Sequence, residues 1–302
     1  MPDRPRVVAL IATRFRTELL ARLLVSLARQ TVPPIAAVIC DNGPDSATAK
    51  TAHNSPLPCE LVTPGQNLGF GGGLAAAGRV ALEKFPDLTH LLVVDDDAVL
   101  SPADLASLLG SATKHSAGAV APFLVDAAGK LQEVPEPVSW TLARSFRAVG
   151  QNLGKARSLA PGGYPMAWCI GPCLLVDRAT WLRAGPPRSD MLAYGDDVEF
   201  SLRLSAAFPA WAEPSVTVIH DPPSPSRLPL STDAAHFKKF ALLLQNLAFT
   251  CVISPRPRHL PLYLFGNARR FLRTFGPSPA NFLEVIRRFL FGFLGRPGGR
   301  PS

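Results

Sequence analysis

Three consecutive carboxylates close an apolar stretch in the sequence LLVVDDDAVL, residues 91–100. Asp95, Asp96 and Asp97, which we call the aspartate trio, repel one another, and their charges are costly to remove from water unless a cation lies nearby. Carboxylate oxygens are ligands that Mg²⁺ and Mn²⁺ prefer. The pattern predicts a divalent-metal site at the end of a buried strand; the alternative interpretation is a turn exposed to water.

Two further polar residues end strand-like stretches elsewhere in the chain. Asp41 ends the run IAAVICD, and His220 ends SVTVIH. In open α/β sheets, ligands bind beyond the carboxyl ends of the strands. We therefore expect Asp41, His220 and the aspartate trio to share one edge of a sheet. Such a set suits Mg²⁺ or Mn²⁺ better than the thiolate chemistry of a structural zinc site.

A second acidic pair, Asp196-Asp197, begins the helix-like stretch GDDVEFSLRLSAAF, residues 195–208. Negative charge is favourable at the start of a helix, so the pair fits simple helix stabilisation. The functional interpretation is that one carboxylate is a general base that removes a proton from an acceptor hydroxyl.

A glycine-rich run, NLGFGGGLAAAG, occupies residues 67–78. Part of it fits the dinucleotide-binding pattern G-x-G-x-x-A, but it follows the third predicted strand and not the first. We interpret the glycines as positions where the backbone comes close to a nucleotide or sugar.

The elements that must position these residues alternate between strand and helix. Apolar runs over residues 6–13, 35–43, 58–64 and 88–97 read as strands, and helical patterns separate them. Hydrophobic residues make up 47% of the 302 residues, enough for a substantial core. We predict an α/β sandwich with a mainly parallel central sheet. From residue 232 the chain reads as amphipathic helices broken near Pro255, Pro257, Pro277 and Pro279.

Taken in order, these stretches resemble the family 2 glycosyltransferases with the GT-A fold over roughly residues 6–222. The resemblance lies in seven motifs: VVALIATRFRTELLARLLVSLARQT for the first strand and helix, VICDNGPDSAT for the Asp-Asn-Gly turn, QNLGFGGGLAAAG for the Asn-x-Gly segment, LLVVDDDAVL for the DxD, CIGPCLLVDRATWLRAG for the strand before the acceptor site, YGDDVEFSLRL for the acidic catalytic motif and VIHD for a third metal ligand. The triple Asp with Asp-Asp-x-Glu-Phe looks most like bacterial galactofuranosyl- and rhamnosyltransferases of cell-envelope assembly.

The resemblance implies a nucleoside-diphosphate sugar as donor and a nucleotide site at the sheet edge. The residues that it places around the nucleotide are Thr13, Asp41, Asn67, Gly69, Asp95 and Asp96. Two positions depart from the family pattern. Phe15 stands where many relatives have Asn, and Gly195 stands where the most similar relatives often have Trp.

The resemblance also implies an inverting transfer to a glycan or lipid-linked glycan acceptor. Asp95, Asp97 and His220 would hold Mn²⁺ or Mg²⁺, which stabilises the departing diphosphate. Asp197 would be the base, with Asp196 beside it in the catalytic pair.

On this basis we divide the chain into a catalytic domain and a C-terminal region. The catalytic domain spans residues 1–231, with a nucleotide-binding half over about 1–118 and an acceptor-binding half over about 119–231. Residues 232–302 form the basic, amphipathic helical C-terminal region.

The charge of the chain is concentrated near its C-terminus. Residues 238–302 contain eleven Lys and Arg and one acidic residue, Glu284, a balance of +10 in a chain of net charge +8. Such helices either attach to an anionic membrane surface or pack on the catalytic domain with their basic face in water. We expect no nucleic-acid partner, because the aromatic residues lie at helical spacings and form no stacking platform.

The sequence also predicts the compartment. The N-terminus lacks the pattern of a signal peptide, and the longest apolar stretch, residues 240–253, is shorter than the roughly 20 residues of a membrane-spanning helix. The five cysteines show no secreted or zinc-finger spacing. We expect a cytoplasmic protein, peripheral at the inner face of the cell membrane.

Three classes of function fit these motifs. Metal-dependent glycosyl transfer is the first. A sugar-phosphate nucleotidyltransferase also uses acidic metal sites, but it normally has a glycine-rich basic loop after the first strand, and ATRFR contains no glycine. A non-catalytic nucleotide-sugar or glycan-binding module would not need Asp197.

Overall fold

The structure, a computed structural model, describes residues 5–43, 46–191, 194–220, 234–254 and 260–298. The strands are β1 (Val7–Thr13), β2 (Ala36–Asp41), β3 (Cys59–Val62), β4 (His90–Val94), β5 (Ala98–Val99), β6 (Ala119–Val125), β7 (Leu131–Glu133), β8 (Glu136–Pro137), β9 (Tyr164–Trp168), β10 (Cys173–Asp177) and β11 (Ala210–His220). The helices are α1 (Thr17–Ala28), α2 (Ser46–His53), α3 (Gly69–Lys84), α4 (Asp104–His115), α5 (Trp140–Val149), α6 (Leu153–Leu159), α7 (Arg178–Ala184), α8 (Asp196–Ala207), α9 (Ala234–Ile253), α10 (Pro261–Phe275) and α11 (Pro279–Phe293).

One mixed sheet forms the centre of the molecule, in the strand order β3-β2-β1-β4-β10-β6-β11-β9-β8. Strands β3, β2, β1 and β4 are parallel neighbours, and β6 and β11 are also parallel. Strand β10 runs antiparallel between β4 and β6. The predicted α/β fold with a mainly parallel central sheet is confirmed.

Helices cover both faces of this sheet, because its central strands are apolar on both sides. On one face, Leu74 of α3 and Phe200 of α8 pack against the strands. On the other, Leu24 of α1 and Leu108 of α4 do so. The sheet is therefore buried on both sides, and the loops that follow its parallel strands lie at its carboxyl edge.

The C-terminal helices form a third apolar cluster with the sheet domain. Phe240 of α9 and Phe271 of α10 are fully buried there, together with Trp168 of β9 and Val198 of α8. The predicted break between helices at Pro277 and Pro279 is confirmed, and α11 begins at Pro279 with Ser278 as its N-cap. The breaks predicted at Pro255 and Pro257 and the predicted domain boundary at 231 lie outside the described residues.

None of the helices in the described part of the chain has both the length and the apolar character needed to cross a bilayer. Helix α9 is long enough, but it contains Gln245 and Asn246 near its middle.

Close packing between α3 and α7 gives a test of the core. A Cβ added to Gly78 would overlap Cζ2 of Trp181, whereas one added to Gly110, an exposed position in α4, would meet no atom within 4 Å. We expect Gly78→Ala to lower the free energy of unfolding by about 1–3 kcal/mol through overpacking. Gly110→Ala should raise it by about 0.5–1 kcal/mol through helix propensity.

Urea unfolding of the two variants and the wild-type protein measures both effects. Since each variant gains the same helix propensity, a stabilised Gly78→Ala variant would show that α3 and α7 are not in contact as described.

Candidate active site

The carboxyl edge of the sheet, where the nucleotide is predicted, begins where β1 and β2 end together. Thr13 and Asp41 are register partners, and the Asn42 backbone N–H donates to the Thr13 carbonyl at 2.9 Å. Asp41 is fully buried, and its Oδ1 accepts a hydrogen bond from the Gly43 N–H at 3.0 Å. Two of the predicted nucleotide residues therefore lie side by side at the carboxyl edge of the sheet.

The glycine-rich segment is attached to this edge by Asn42. Its Oδ1 accepts from the Leu68 N–H at 2.9 Å, and its Nδ2 donates to the Gly69 carbonyl at 3.0 Å. Asn67 Oδ1 accepts from the Gly69 N–H, and Gly69 has a φ of 74°. The sequence motifs did not single out Asn42 as a site residue, although it belongs to the Asp-Asn-Gly turn.

The later glycines of this segment serve chain packing. A Cβ at Gly71 would lie 2.6 Å from the Arg188 carbonyl oxygen, and one at Gly73 would lie 3.0 Å from Asn42 Nδ2. A side chain at either position would thus collide with protein atoms, and the approach of this backbone to a nucleotide or sugar stays a prediction.

The aspartate trio follows β4, and an arginine from the first loop binds two of its members. Asp96 Oδ2 accepts from Thr13 Oγ1 at 2.7 Å, and its Oδ1 accepts from Arg16 Nη1 at 3.0 Å. The same Nη1 lies 3.2 Å from Asp97 Oδ2. The sequence analysis did not assign Arg16 to the site, since a basic residue in a loop gives no indication of where its side chain points.

Three metal-binding side chains meet beside this arginine. One ligand atom each from Asp95, Asp97 and His220 lie within 4.8 Å of one another. His220 is held there by two contacts, because β11 pairs with β5 at Ala98 and His220 Nδ1 lies 3.3 Å from Gln132 Oε1. The predicted metal ligands are therefore brought together.

These residues fit a divalent cation. Asp95 Oδ1 is buried without a hydrogen-bond partner among the described residues. Asp97 Oδ1 lies 3.4 Å from His220 Nε2. Two buried carboxylate oxygens and one imidazole nitrogen are donors that Mn²⁺ and Mg²⁺ accept, and a cation there would satisfy the unpaired oxygen of Asp95.

The carboxyls of the trio differ in their electrostatics. Burial, followed by repulsion from Asp97 and Asp96, raises the pKa of Asp95 well above its usual range. Burial also raises the pKa of Asp96, despite Thr13 and Arg16. For Asp97, burial opposes ionisation, but His220 and Arg16 outweigh it and hold the pKa below its ordinary value. Asp95 is thus the carboxyl of the three whose ionised form is least favourable.

The second acidic pair lies at the start of α8. Asp196 is buried, and its Oδ2 accepts from the Gly71 N–H at 3.0 Å. Asp197 is half-buried, and its Oδ2 accepts from the Gly171 N–H at 3.0 Å. Burial, with repulsion from Asp197, raises the pKa of Asp196 to about 7, and burial likewise raises the pKa of Asp197.

A small pocket lies against this pair. Its lining includes both aspartates and the side chains of Phe70 and Phe200. Two carboxylates therefore converge on a mostly apolar pocket, where burial opposes their ionisation.

One short segment joins the two acidic groups. The Gly171 N–H binds Asp197, and the carbonyl of the next residue, Pro172, accepts from the Asp95 N–H at 3.1 Å. The aspartate trio and the acidic pair therefore face one region of the molecule.

The two departures from the family pattern have structural consequences. Phe15 adopts a φ of 56° with its side chain 62% exposed, and Arg14 lies over its ring. Gly195 has a φ of 87°, which would strain any larger residue. A Trp in the usual family position is thus disfavoured in this chain.

The profile of a known family, described as Glycosyl transferase family 2, matches residues 9–165. This chain belongs to that family. The match spans β1 to β9 and includes the aspartate trio. The protein is accordingly a glycosyltransferase, which favours the first of the three classes of function over nucleotidyl transfer and non-catalytic binding.

Two mycobacterial relatives are similar over most of the chain. The N-acetylglucosaminyl-diphospho-decaprenol L-rhamnosyltransferase of Mycobacterium tuberculosis is 27% identical over 250 residues, which cover 75% of this chain and 80% of that protein. The galactofuranosyltransferase GlfT1 of Mycolicibacterium smegmatis is 28% identical over 204 residues, 66% of this chain and 65% of that protein.

Solved structures share the fold at lower identity. The mannosyltransferase PcManGT of Pyrobaculum calidifontis, in complex with GDP-Man and Mn²⁺, has a TM-score of 0.60 at 20% identity and covers 95% of this chain and 76% of its own. S. aureus TarS residues 1–349 with UDP-GlcNAc has a TM-score of 0.62 at 13% identity, covering 95% and 81%. The GT-A fold implied by the sequence motifs is confirmed.

The pKa of Asp95 is raised and that of Asp97 is lowered, so neutralising these two carboxyls should have opposite effects on the free energy of unfolding. In the presence of a metal chelator at pH 8, we expect Asp95→Asn to raise the free energy of unfolding by about 1–3 kcal/mol. The reason is that a carboxyl whose folded-state pKa is raised destabilises the fold once ionised. The gain should shrink as the pH falls below the raised folded-state pKa, and it should vanish below the unfolded-state pKa of about 4, where the carboxyl is protonated in both states.

Asp97→Asn is the matched control from the same turn. Its folded-state pKa is lowered, so it should lower the free energy of unfolding at pH 8, and the loss should shrink in acid. Urea unfolding at several pH values measures both variants, and equal shifts of the same sign would contradict this electrostatic account.

Proposed function

We propose that the protein transfers a sugar, with inversion and in a metal-dependent reaction, from a nucleoside-diphosphate sugar to a lipid-linked glycan of the cell envelope. The observation that carries the proposal is the juxtaposition of an Asp-Asp-His group and a separate acidic pair across the Gly171–Pro172 segment. Two distinct acidic centres match the needs of this reaction, one for the leaving diphosphate and one for the acceptor hydroxyl.

The donor would lie along the carboxyl edge of β1, β2 and β4. Thr13, Asp41, Asn67 and Gly69 frame the space for the nucleotide, and Asp95 and Asp96 would face the ribose or the phosphates. Asp95, Asp97 and His220 would hold Mn²⁺ or Mg²⁺, which when bound neutralises charge on the departing diphosphate. Arg16, which is 45% exposed and bound to Asp96, keeps one fixed positive charge at the same place.

Asp197 is the proposed base. It is the more exposed member of the acidic pair, so a hydroxyl group can reach it, whereas Asp196 is only 3% exposed. Backbone N–H groups of Gly171 and Val198 hold its two oxygens, which fixes the direction from which it accepts a proton. Asp196 holds the Gly71 backbone and sets the position of the start of α3.

A thermal-shift and turnover experiment tests the donor and base assignments together. UDP- and dTDP-linked sugars, with and without Mn²⁺, are added to the wild-type protein, Asp97→Asn and Asp197→Asn. We expect one class of donor to stabilise the wild-type protein more with Mn²⁺ than without it. Asp97→Asn should lose that metal-dependent part, whereas Asp197→Asn should keep it and lose turnover by about 10²-fold or more.

Each variant is the control for the other, because both remove one carboxylate. Normal turnover by Asp197→Asn would remove the base assignment. An Mn²⁺-dependent shift that persists in Asp97→Asn would remove the metal assignment.

The proposed acceptor is a glycan on a lipid carrier, so the enzyme would work at the cytoplasmic surface of the membrane. The name of the M. tuberculosis relative specifies a diphospho-decaprenol acceptor. In this chain, helix α11 presents apolar side chains to the outside at helical spacing. These residues, which we call the C-terminal apolar face, are Phe282, Leu283, Ile286, Leu290, Phe293 and Leu294, each 47–70% exposed.

Helix α10 extends this face and supplies its charge. Its exposed Phe265 adjoins α11, because the Phe265 ring lies 6.1 Å from that of Phe289, and Leu262 of the same helix is also exposed. The exposed Arg269 and Arg273 follow on the same side of α10 at intervals of four residues. An apolar surface bordered by arginines is complementary to an anionic bilayer, in which the side chains enter the headgroup region and the arginines meet phosphates.

Vesicle flotation tests this contact. We expect the wild-type protein to float with phosphatidylglycerol-containing vesicles and not with purely phosphatidylcholine vesicles. The double variant Leu283→Glu/Leu290→Glu should reduce binding at least about tenfold, because each leucine contributes about 1.5–3 kcal/mol when removed from water.

Leu159→Glu/Leu182→Glu is the matched control, since it places the same two substitutions at exposed leucines of α6 and α7. Equal binding by the two double variants would show that the C-terminal apolar face is not the membrane contact.

A further inference from the structure

Two amides interrupt the apolar sequence of α9. Gln245 and Asn246 are 6% and 0% exposed, in the central part of α9 where the neighbouring buried side chains are mostly aliphatic and aromatic. Buried amides are retained at a cost unless they are fully hydrogen-bonded. Their partners therefore indicate what each amide does.

Asn246 connects two distant parts of the chain. Its Nδ2 donates to the Tyr194 carbonyl at 2.9 Å, and its Oδ1 accepts from the Gly298 N–H at 2.6 Å. Gln245 points to a different place, because its Nε2 donates to the Arg296 carbonyl at 2.9 Å and its Oε1 accepts from Arg288. Among the described contacts, Asn246 therefore reaches the loop that leads into the acidic pair, whereas Gln245 binds the C-terminal segment.

That loop has a costly backbone conformation. Tyr194 and Gly195 have φ values of 61° and 87°, so two consecutive residues adopt the left-handed conformation immediately before Asp196. For a tyrosine this conformation is unfavourable and persists only where surrounding contacts impose it. The hydrogen bond from Asn246 to the Tyr194 carbonyl is such a contact.

Helix α9 also supports the loop by packing. A Cβ added to Gly195 would lie 3.5 Å from Asn246 Cβ and 3.8 Å from side-chain atoms of Leu243 and Leu247. The turn thus lies directly on the surface of α9. The first residues of α8, including Val198, share the apolar cluster of α9.

We propose that Asn246 is a positioning residue for the reaction, which fixes the Tyr194-Gly195 turn and through it the carboxylate of Asp197. The C-terminal helices are then part of the catalytic apparatus as well as a membrane contact. The inference rests on the proposed function, because Asp197 matters as a base only if the protein transfers a sugar to a hydroxyl.

The test uses two variants of the full-length protein. Asn246→Leu keeps the approximate shape of the side chain and removes its hydrogen bonds. Asn246→Ala removes most of the side chain and is used if the leucine variant does not fold. We expect kcat to fall about 10–100-fold, because displacement of a catalytic group by about 1 Å has effects of that size. The donor KM should stay within about twofold, since Tyr194 and Gly298, which Asn246 binds in the described part of the chain, lie outside the proposed nucleotide edge. Amide hydrogen exchange in peptides covering residues 194–200 should rise about tenfold.

Gln245→Met is the matched control, because it removes a neighbouring buried amide of α9 that holds the C-terminal segment and not the loop. It should leave kcat and the exchange of residues 194–200 within about threefold of the wild-type values. Unchanged kcat and exchange in the Asn246 variants would overturn the proposal, as would equal changes in Gln245→Met, which would indicate a general loosening of the C-terminal helices.

The exchange measurement separates this proposal from the proposed function. If exchange rises only in the Asn246 variants while the wild-type protein transfers no sugar from any donor, the positioning contact stands and the assigned reaction is wrong. If the wild-type protein is active and the Asn246 variants match it in kcat and in exchange, the reaction stands and the positioning role is wrong.

Discussion

The repulsion among three successive carboxylates at the end of a buried strand is the constraint on which the active-site region depends. β4 brings Asp95, Asp96 and Asp97 into an interior where each negative charge needs a partner. Among the described side chains, Arg16 is the permanent cation that contacts them, through Asp96 and Asp97. His220 faces the remaining oxygen of Asp97, and Asp95 keeps an unpaired oxygen. Arg16 thus balances at most one of the three carboxylates, and the remaining repulsion favours either protonation of Asp95 or binding of the divalent cation of the proposed reaction.

Much of this edge could be predicted because one geometric rule governs it. Parallel strands end at the same edge of a sheet, so polar residues that directly follow apolar runs must come close together in space. This rule brought Asp41, Asp97 and His220 to one edge without any knowledge of their contacts. Arg16 escaped prediction because it lies in a loop beside Phe15, whose φ of 56° is a left-handed conformation that is uncommon for residues other than glycine. The hydrophobic pattern gives no indication of such a backbone conformation or of the direction of the side chain that follows it.

The pairing of strands that lie far apart in the chain also could not be predicted from the sequence. The stretch CLLVD is recognisable as a strand, but its antiparallel insertion between β4 and β6 depends on pairing with residues 79–87 positions earlier in β4 and 55–57 positions earlier in β6. The amides of α9 are a similar case, since Gln245 and Asn246 show only that the helix is a poor membrane span. That they face protein and not water follows from the packing of α11 against α9, where Gly292 allows the two backbones to approach closely. Local periodicity cannot distinguish a polar residue at a protein interface from one in solvent.

The dipeptide Gly171-Pro172 links the two acidic groups through the backbone. The Gly171 N–H binds the Asp197 carboxylate, and the Pro172 carbonyl binds the Asp95 N–H. The proline ring fixes one of the backbone dihedral angles between these two hydrogen bonds. A shift of this dipeptide would therefore move both acidic groups at once, so a substitution there would disturb them together and not singly.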